Sequence, residues 1–170
     1  MSAATDLLVD GLGRVRDNVH AVLDGLGAAE LTFRPGPKAN SIAWLVWHLT
    51  RVQDDHVADL EGAEQVWTSD GWADRLGLPF DPTATGYGQS PDDVAAVEVD
   101  SGALLAGYHD AVYERTVAYV GTLTDADMAR VVDDSWAPPV TLAVRLVSVI
   151  DDNAQHVGQA AYVRGLAEST

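Results

Sequence analysis

Apolar side chains recur every three or four positions from residue 5 to residue 26, which predicts a first helix with one buried face. A second stretch with the same spacing follows a capping residue at Asn40 or Ser41 and extends to about Leu60. Residues 27–40, between these two helices, contain two prolines, so this segment is predicted to be a loop.

Two further helices are predicted in the second half of the chain. Ser90 caps a third helix that begins with a proline and two acidic residues and continues to about Val120. This helix is either continuous or broken near residues 99–102. After a polar turn, residues 131–140 are compatible with a short extended pair, and residues 141–165 have the pattern of a fourth helix.

The connection between the second and third helices is unusually long. Residues 62–89 are rich in Gly, Pro, Asp, Thr and aromatic side chains and keep no sustained period. A connection of this length is usually functional or mobile, and it could act as a lid over a pocket. Four long helices with this irregular insertion predict an all-α fold: a four-helix bundle forming one domain over residues 1–170.

Composition narrows the classes of partner and cofactor. The 170 residues carry 10 basic and 26 acidic side chains, a formal net charge of −16, which speaks against binding to nucleic acid or an anionic membrane. The chain has no cysteine, so any metal must be held by His, Asp, Glu or water. We find no secretion leader and no apolar run of the ~20 residues that a membrane span requires, and therefore expect a cytoplasmic protein.

Two polar residues interrupt the alanine-rich fourth helix. Asp152 and His156 are four positions apart, which places their side chains on one helical face with Cβ atoms about 5–6 Å apart. A carboxylate and an imidazole at this spacing are able to bind one metal ion. The alternative is an ordinary helical ion pair, and the spacing alone favours that alternative.

A second irregularity lies in the second helix, where His48 is embedded in an almost wholly apolar run. A buried imidazole needs partners for both ring nitrogens, and a metal ion with a hydrogen-bond acceptor supplies both. A core histidine bonded to a backbone carbonyl is the competing interpretation. If the second and fourth helices are neighbours, His48, Asp152 and His156 form a three-ligand site with open positions.

Two residues on the fourth helix are weaker candidates for binding a substrate or cofactor. Arg145 could pair with an acidic group of a ligand, or simply with a carboxylate such as Asp55. Gln159, one turn after His156, could donate a hydrogen bond to a ligand or be an ordinary polar helix residue. The run at residues 54–56 is interpreted as solvated.

Residues 44–49 (WLVWHL) and 152–159 (DNAQHVGQ), together with the order of the helices, resemble the DinB-like (YfiT-like) superfamily of metal-dependent helical bundles. The resemblance covers nearly the whole chain. It implies one metal-ligating histidine from the second helix, at His48, and a pair from the fourth helix whose last member is His156. Asp152 stands where His is usual, or Glu in the mycothiol-dependent maleylpyruvate isomerase branch, and its shorter side chain reaches less far.

This resemblance implies a metalloenzyme, with zinc or nickel as the ion, that acts as a mycothiol- or bacillithiol-dependent S-transferase or isomerase. A metal-bound thiol is deprotonated, so an enzyme without cysteine could still use a thiolate. Arginine supplies nine of the ten basic residues, which agrees weakly with a mycothiol-producing source. A homodimer is also expected. A metal-dependent hydrolase, and a non-catalytic binding or stress-response module with a vestigial site, remain as alternatives.

Overall fold

A computed structural model describes residues 2–169, so the first and last residues of the predicted domain lie outside the described part of the chain. Residues 2–169 form eight α-helices, a 3₁₀ turn and a two-stranded antiparallel ribbon. The helices are α1 (Ala3–Leu23), α2 (Ala28–Thr32), α3 (Ile42–Glu61), α4 (Val66–Ser69), α5 (Trp72–Leu76), α6 (Pro91–Ala95), α7 (Gly102–Thr122) and α8 (Leu142–Ala167). The 3₁₀ turn spans Asp127–Ala129, and the strands are β1 (Val131–Asp133) and β2 (Val140–Thr141).

The four long helices α1, α3, α7 and α8 pack as a bundle, which confirms the predicted all-α fold. Helix α3 packs against α7 and α8, and α1 packs against the same two helices from the other side. Helices α3 and α8 run in opposite directions, because Leu45 and Gln159 line one groove while Gln53 bonds Asn153 further along. The second and fourth predicted helices are therefore neighbours, as a shared site requires.

Side-chain caps explain where the long helices begin. The hydroxyl groups of Ser2, Ser41, Ser101 and Thr141 each accept a hydrogen bond from a backbone amide in the first turn of the helix that follows. Helix α3 ends at Gly62, whose φ of 66° lies in the left-handed region that glycine adopts without strain. The starts of α3 and α8 agree with the positions predicted from the sequence.

Three segments differ from their sequence predictions. The loop predicted over residues 27–40 contains α2, and the irregular insertion over residues 62–89 contains α4 and α5. These helices have only four or five residues, too few to show a helical period. The third predicted helix is divided into α6 and α7, which confirms the break that the sequence offered as an alternative, but the interruption covers residues 96–101 and so begins earlier than predicted. Val97 and Val99 in this interruption are buried. The predicted extended pair is present as β1 and β2.

No helix among residues 2–169 combines the length and the apolar character needed to cross a membrane.

Candidate metal centre

Helix α3 buries His48 beside an aromatic neighbour. The Ser41 cap and the apolar turns after it direct this part of the helix into the core, where His48 is 6% exposed. The imidazole stacks on the indole of Trp44, with ring centroids 4.6 Å apart and an interplanar angle of 19°. Its Nδ1 atom donates a hydrogen bond of 2.5 Å to the carbonyl oxygen of Thr85. That bond leaves Nε2 as the atom with a free lone pair.

Helix α8 contributes Asp152 and His156 from adjacent turns. The Nδ1 atom of His156 donates to the main-chain oxygen of Asp152 at 2.8 Å, so Nε2 is again the free nitrogen. The Oδ2 atom of Asp152 lies 3.4 Å from His156 Nδ1, but that nitrogen is already engaged. Within residues 2–169 this buried oxygen has no hydrogen-bond partner. A buried carboxylate oxygen without a partner is free to bind a cation or another ligand atom.

The three side chains converge between the two helices. One donor atom from each of His48, Asp152 and His156 lies within 4.8 Å of the other two, and the rings of the two histidines are 4.8 Å apart at 74°. Ligands of one tetrahedral zinc ion lie about 3.3 Å from each other, so side-chain rotations that bring the donor atoms closer by up to about 1.5 Å would place them in range. Among residues 2–169, no other group of three His, Asp or Glu side chains approaches so closely.

The surroundings of the three side chains shift their pKa values in different directions. Burial lowers the pKa of His48, which keeps this imidazole neutral and able to bind a metal. The Asp152 carboxylate, 3.4 Å from His156 Nδ1, raises the pKa of His156. Burial acts to raise the pKa of Asp152, but the close approach of His156 and the electrostatic effect of the nearby histidines outweigh burial and lower this pKa. The carboxylate is therefore ionised at neutral pH.

The two weaker candidates lie on either side of this cluster along α8. Arg145 donates a hydrogen bond of 3.0 Å to Asp133 of β1. Arg145 therefore pairs with a carboxylate, as the alternative interpretation predicted, but the partner is Asp133 rather than Asp55, which accepts from Gln65. Gln159 is exposed and lines an open groove of about 570 Å³ between the start of α3 and the end of α8. A larger cavity, of about 760 Å³, lies elsewhere, between α1 and α7.

The run at residues 54–56 is not solvated as predicted. Asp54 is 2% exposed, and its carboxylate accepts hydrogen bonds from the amides of Val66 at 2.9 Å and Trp67 at 2.8 Å. Burial raises the pKa of Asp54, although these bonds act against the shift. His56 is half-buried, and burial, followed by the charge of Arg145, lowers its pKa. Asp54 thus fixes the start of the insertion. Its hydrogen-bond partners lie outside α3, so the pattern of that helix alone does not predict them.

Three residues that contact or support the cluster were not found from the sequence. Thr85 supplies the carbonyl group that binds His48, and Gly86 has a φ of 96° and lies against the same ring. Arg51, on α3, is fully buried and bonds the same segment of the insertion. The glycines in Thr85-Gly86-Tyr87-Gly88 were the available signal, since a glycine in a loop often marks close backbone approach.

Comparison with known proteins decides the family. The sequence model of the mycothiol-S-transferase family matches residues 7–169. The chain belongs to this family. The match agrees with the resemblance to DinB-like bundles that residues 44–49 and 152–159 carry.

A solved structure supports the fold of this member of the mycothiol-S-transferase family over its whole length. The crystal structure of a conserved protein from Enterococcus faecalis is similar, with a TM-score of 0.93 and 32% sequence identity. The alignment covers 100% of this chain and 99% of the other. Among curated proteins, none is significantly similar in sequence.

Proposed function

We propose that the protein is a metal-dependent S-transferase that uses mycothiol, with His48, Asp152 and His156 as the ligands of a divalent cation. The observation that carries this proposal is the convergence of three donor atoms within 4.8 Å. Membership in the mycothiol-S-transferase family supports the choice of thiol.

The residues present fit a divalent cation. The Oδ2 atom of Asp152 is buried without a hydrogen-bond partner in the described chain, and both histidines have Nδ1 engaged by a carbonyl group. Two imidazoles and one carboxylate suit zinc, nickel and other first-row ions. Three protein ligands leave coordination positions open, which is typical of catalytic rather than structural sites.

A divalent cation bound there would supply a thiolate at neutral pH, because a coordinated thiol loses its proton. The chain has no cysteine, so the sulfur comes from mycothiol or a related thiol such as bacillithiol. In the transfer, the sulfur forms a bond to a carbon atom of the electrophile, and the leaving group departs with the pair of electrons from its own bond. The thiol proton passes to solvent.

The open groove between the start of α3 and the end of α8 is the proposed binding site for the body of the thiol. Leu45, Gln155, Gln159 and Tyr162 line it, so it offers two side-chain amides and an exposed aromatic ring. Amides of this kind bond the hydroxyl and amide groups of a polar ligand. Arg145 lies two turns before Asp152 on α8 and would contact an acidic substrate group only after release from Asp133.

The proposal is tested by a conjugation assay with mycothiol and a general electrophile, in protein loaded with zinc or nickel. We expect conjugation above the uncatalysed rate in the wild type and a loss of that excess in His48→Ala. His20→Ala is the matched control, because His20 lies on α1 and pairs with Asp110. No conjugation by the loaded wild type would contradict the proposal, and cleavage of an ester without thiol would identify a hydrolase instead.

The homodimer and the cytoplasmic location predicted from the sequence are part of the same proposal. Light scattering coupled to size-exclusion chromatography tests the first, and a molar mass of one chain would contradict it.

A further inference from the structure

The insertion between α3 and α7 is fastened to one face of α3. Side chains at positions 44, 48, 51 and 54 are three or four residues apart, so they form one stripe along the helix. Each of the four side chains bonds a group in the insertion. The bonded groups come later in the insertion as the position on α3 moves back from 54 to 44. Asp54 bonds the amides of residues 66 and 67, Arg51 bonds the carbonyls of residues 82 and 84, His48 bonds the carbonyl of residue 85, and Trp44 bonds the side chain of residue 89.

Arg51 binds two carbonyl groups of the insertion at once. Its side chain is fully buried, with Nε donating to the Ala84 carbonyl at 3.0 Å and Nη2 donating to the Pro82 carbonyl at 3.1 Å. The guanidinium group also donates to the Tyr108 hydroxyl at 3.3 Å and lies 3.6 Å from the Asp54 carboxylate. A planar guanidinium with several donors holds two carbonyl groups at once in a way that a single ammonium group does not.

The next two residues of the insertion contact His48 directly. Thr85 presents its carbonyl oxygen to His48 Nδ1, and Gly86 follows with a φ of 96°. A Cβ atom at position 86 would lie 2.6 Å from His48 Nδ1 and 3.1 Å from the ring of Trp47. Real Cβ atoms do not approach so closely, so the absence of a side chain at Gly86 permits the contact.

We propose that Arg51 is a positioning residue for His48, acting through the segment from Pro82 to Gly86. By holding the carbonyl groups of Pro82 and Ala84, Arg51 keeps the Thr85 carbonyl against His48 Nδ1. Since a carbonyl group only accepts, the ring proton stays on Nδ1 and the Nε2 lone pair stays available. The value of this arrangement rests on the proposed function, in which His48 is a metal ligand.

The first test reads the tautomer of His48 in metal-free protein by nitrogen-15 NMR of the imidazole, at a pH where the ring is neutral. The wild type is expected to carry the proton on Nδ1 alone. Arg51→Lys keeps the positive charge beside Asp54 but cannot hold both carbonyl groups, and we expect a mixture of the two tautomers. A proton on Nε2 in the wild type, or an unchanged tautomer in Arg51→Lys, would overturn the proposal.

A second pair of variants decides the case even if Arg51→Lys fails to fold. Gly86→Ala places a methyl group against His48, whereas Gly88→Ala introduces a side chain at a similar φ of 72° with no heavy atom within 4 Å. A side chain at a positive φ strains the backbone in both variants, but only Gly86→Ala disturbs the contact with His48. We expect tautomer mixing in Gly86→Ala alone, and equal spectra for the two variants would contradict the proposal.

Zinc affinity, measured by competition with a chelating dye, connects this inference to the metal site. Loss of a group that orients a metal ligand typically weakens metal binding about 10- to 100-fold, and we expect this range for Arg51→Lys and Gly86→Ala but not for Gly88→Ala. If wild-type protein binds no zinc, the proposed function fails. The tautomer measurement still decides whether Arg51 positions His48.

Discussion

Gln53 of α3 and Asn153 of α8 share a buried hydrogen bond of 2.6 Å between the Asn153 amide nitrogen and Gln53 Oε1. The Gln53 amide nitrogen in turn donates to the Thr116 hydroxyl of α7 at 2.9 Å. Apolar side chains can slide past one another, but a directional bond in the core fixes one register. Asn153 is adjacent to Asp152 in sequence, so this bond helps to fix the two helices that carry the candidate metal ligands relative to each other.

The first prediction concerns the free energy of unfolding of Asn153→Ala and Gln53→Ala. Each variant leaves a buried polar atom without its partner, and we expect each to lose about 1–3 kcal/mol. In the double variant the shared bond is lost only once, so its total should fall short of the sum of the single losses by about 1 kcal/mol. Urea unfolding of the four proteins measures this coupling, and strictly additive losses would contradict it.

The second prediction concerns the buried carboxylate that fixes the start of the insertion. Asp54→Asn retains the shape of the side chain but puts an amide NH₂ where the carboxylate accepts from two backbone amides and the Tyr108 hydroxyl. It also leaves Arg51 without a buried counter-charge. We expect a loss of about 3–5 kcal/mol in the free energy of unfolding, measured by urea denaturation.

Asp59→Asn serves as the control, because Asp59 lies on the same helix and is exposed. Its effect should be within about 0.5 kcal/mol. Similar losses at positions 54 and 59 would show that the network of Asp54 does not stabilise the fold.

The third prediction is a pH dependence of stability. His109 is fully buried. Its Nδ1 atom donates a hydrogen bond to the Thr50 hydroxyl, and that hydroxyl donates to the carbonyl oxygen of Val46. The Nε2 atom of His109 has no hydrogen-bond partner in the described chain. Burial lowers the pKa of His109 to about 4. In the unfolded chain the pKa is about 6.5, so between these values the unfolded state binds more protons and stability falls as the pH decreases.

From pH 7 to pH 5, His109 should account for about 2 kcal/mol of the lost free energy of unfolding. His109→Gln removes the titrating group, and the variant should lose about that much less than the wild type over the same interval. Urea midpoints at the two pH values, converted with a common slope, give the comparison. Parallel pH curves for the two proteins would show that His109 is not held neutral.

The fourth prediction concerns the carboxylate in the candidate metal centre. Asp152→Asn removes the charge and one strong donor. Loss of a residue that only orients a metal ligand weakens metal binding about 10- to 100-fold. Loss of a ligand itself should therefore weaken zinc binding by at least about 100-fold. Asp152→Glu keeps the carboxylate and should retain binding. Competition with a chelating dye measures both affinities.

Asp151→Asn is the matched control for this series. Asp151 is the preceding residue on α8, is exposed and accepts a hydrogen bond from Gln155. Its loss of charge should leave zinc affinity nearly unchanged. Equal weakening by the two variants would indicate a general electrostatic effect rather than ligation by Asp152.

The long helices could be predicted because their information is local. Hydrophobic period and a hydroxyl cap are contained in the sequence of α3 and of α8, and both begin where those signals place them. The short helices α4 and α5 gave no such signal, since five residues complete little more than one turn. Helix α4 is held by Asp54 of α3, and α5 packs against α4 and α7, which are contacts that a local pattern does not contain.

Only part of the candidate site could likewise be predicted from local sequence. The spacing of Asp152 and His156 places them on one face of one helix, so their proximity follows from the sequence alone. The position of His48 opposite them depended on the neighbouring arrangement of α3 and α8, which the resemblance implied and the structure shows. The contacts of Thr85 and Arg51 join residues more than 30 positions apart, and nothing in either local pattern indicates them.

The proposed function depends on one metal ion bound jointly by His48, Asp152 and His156. Elemental analysis of protein purified without a histidine tag, after equilibration with zinc and removal of free metal, tests this most directly. We predict about one equivalent of zinc per chain in the wild type and in His20→Ala, and none in His48→Ala or His156→Ala. A wild type without stoichiometric metal, or a full equivalent retained by both ligand variants, would contradict the account.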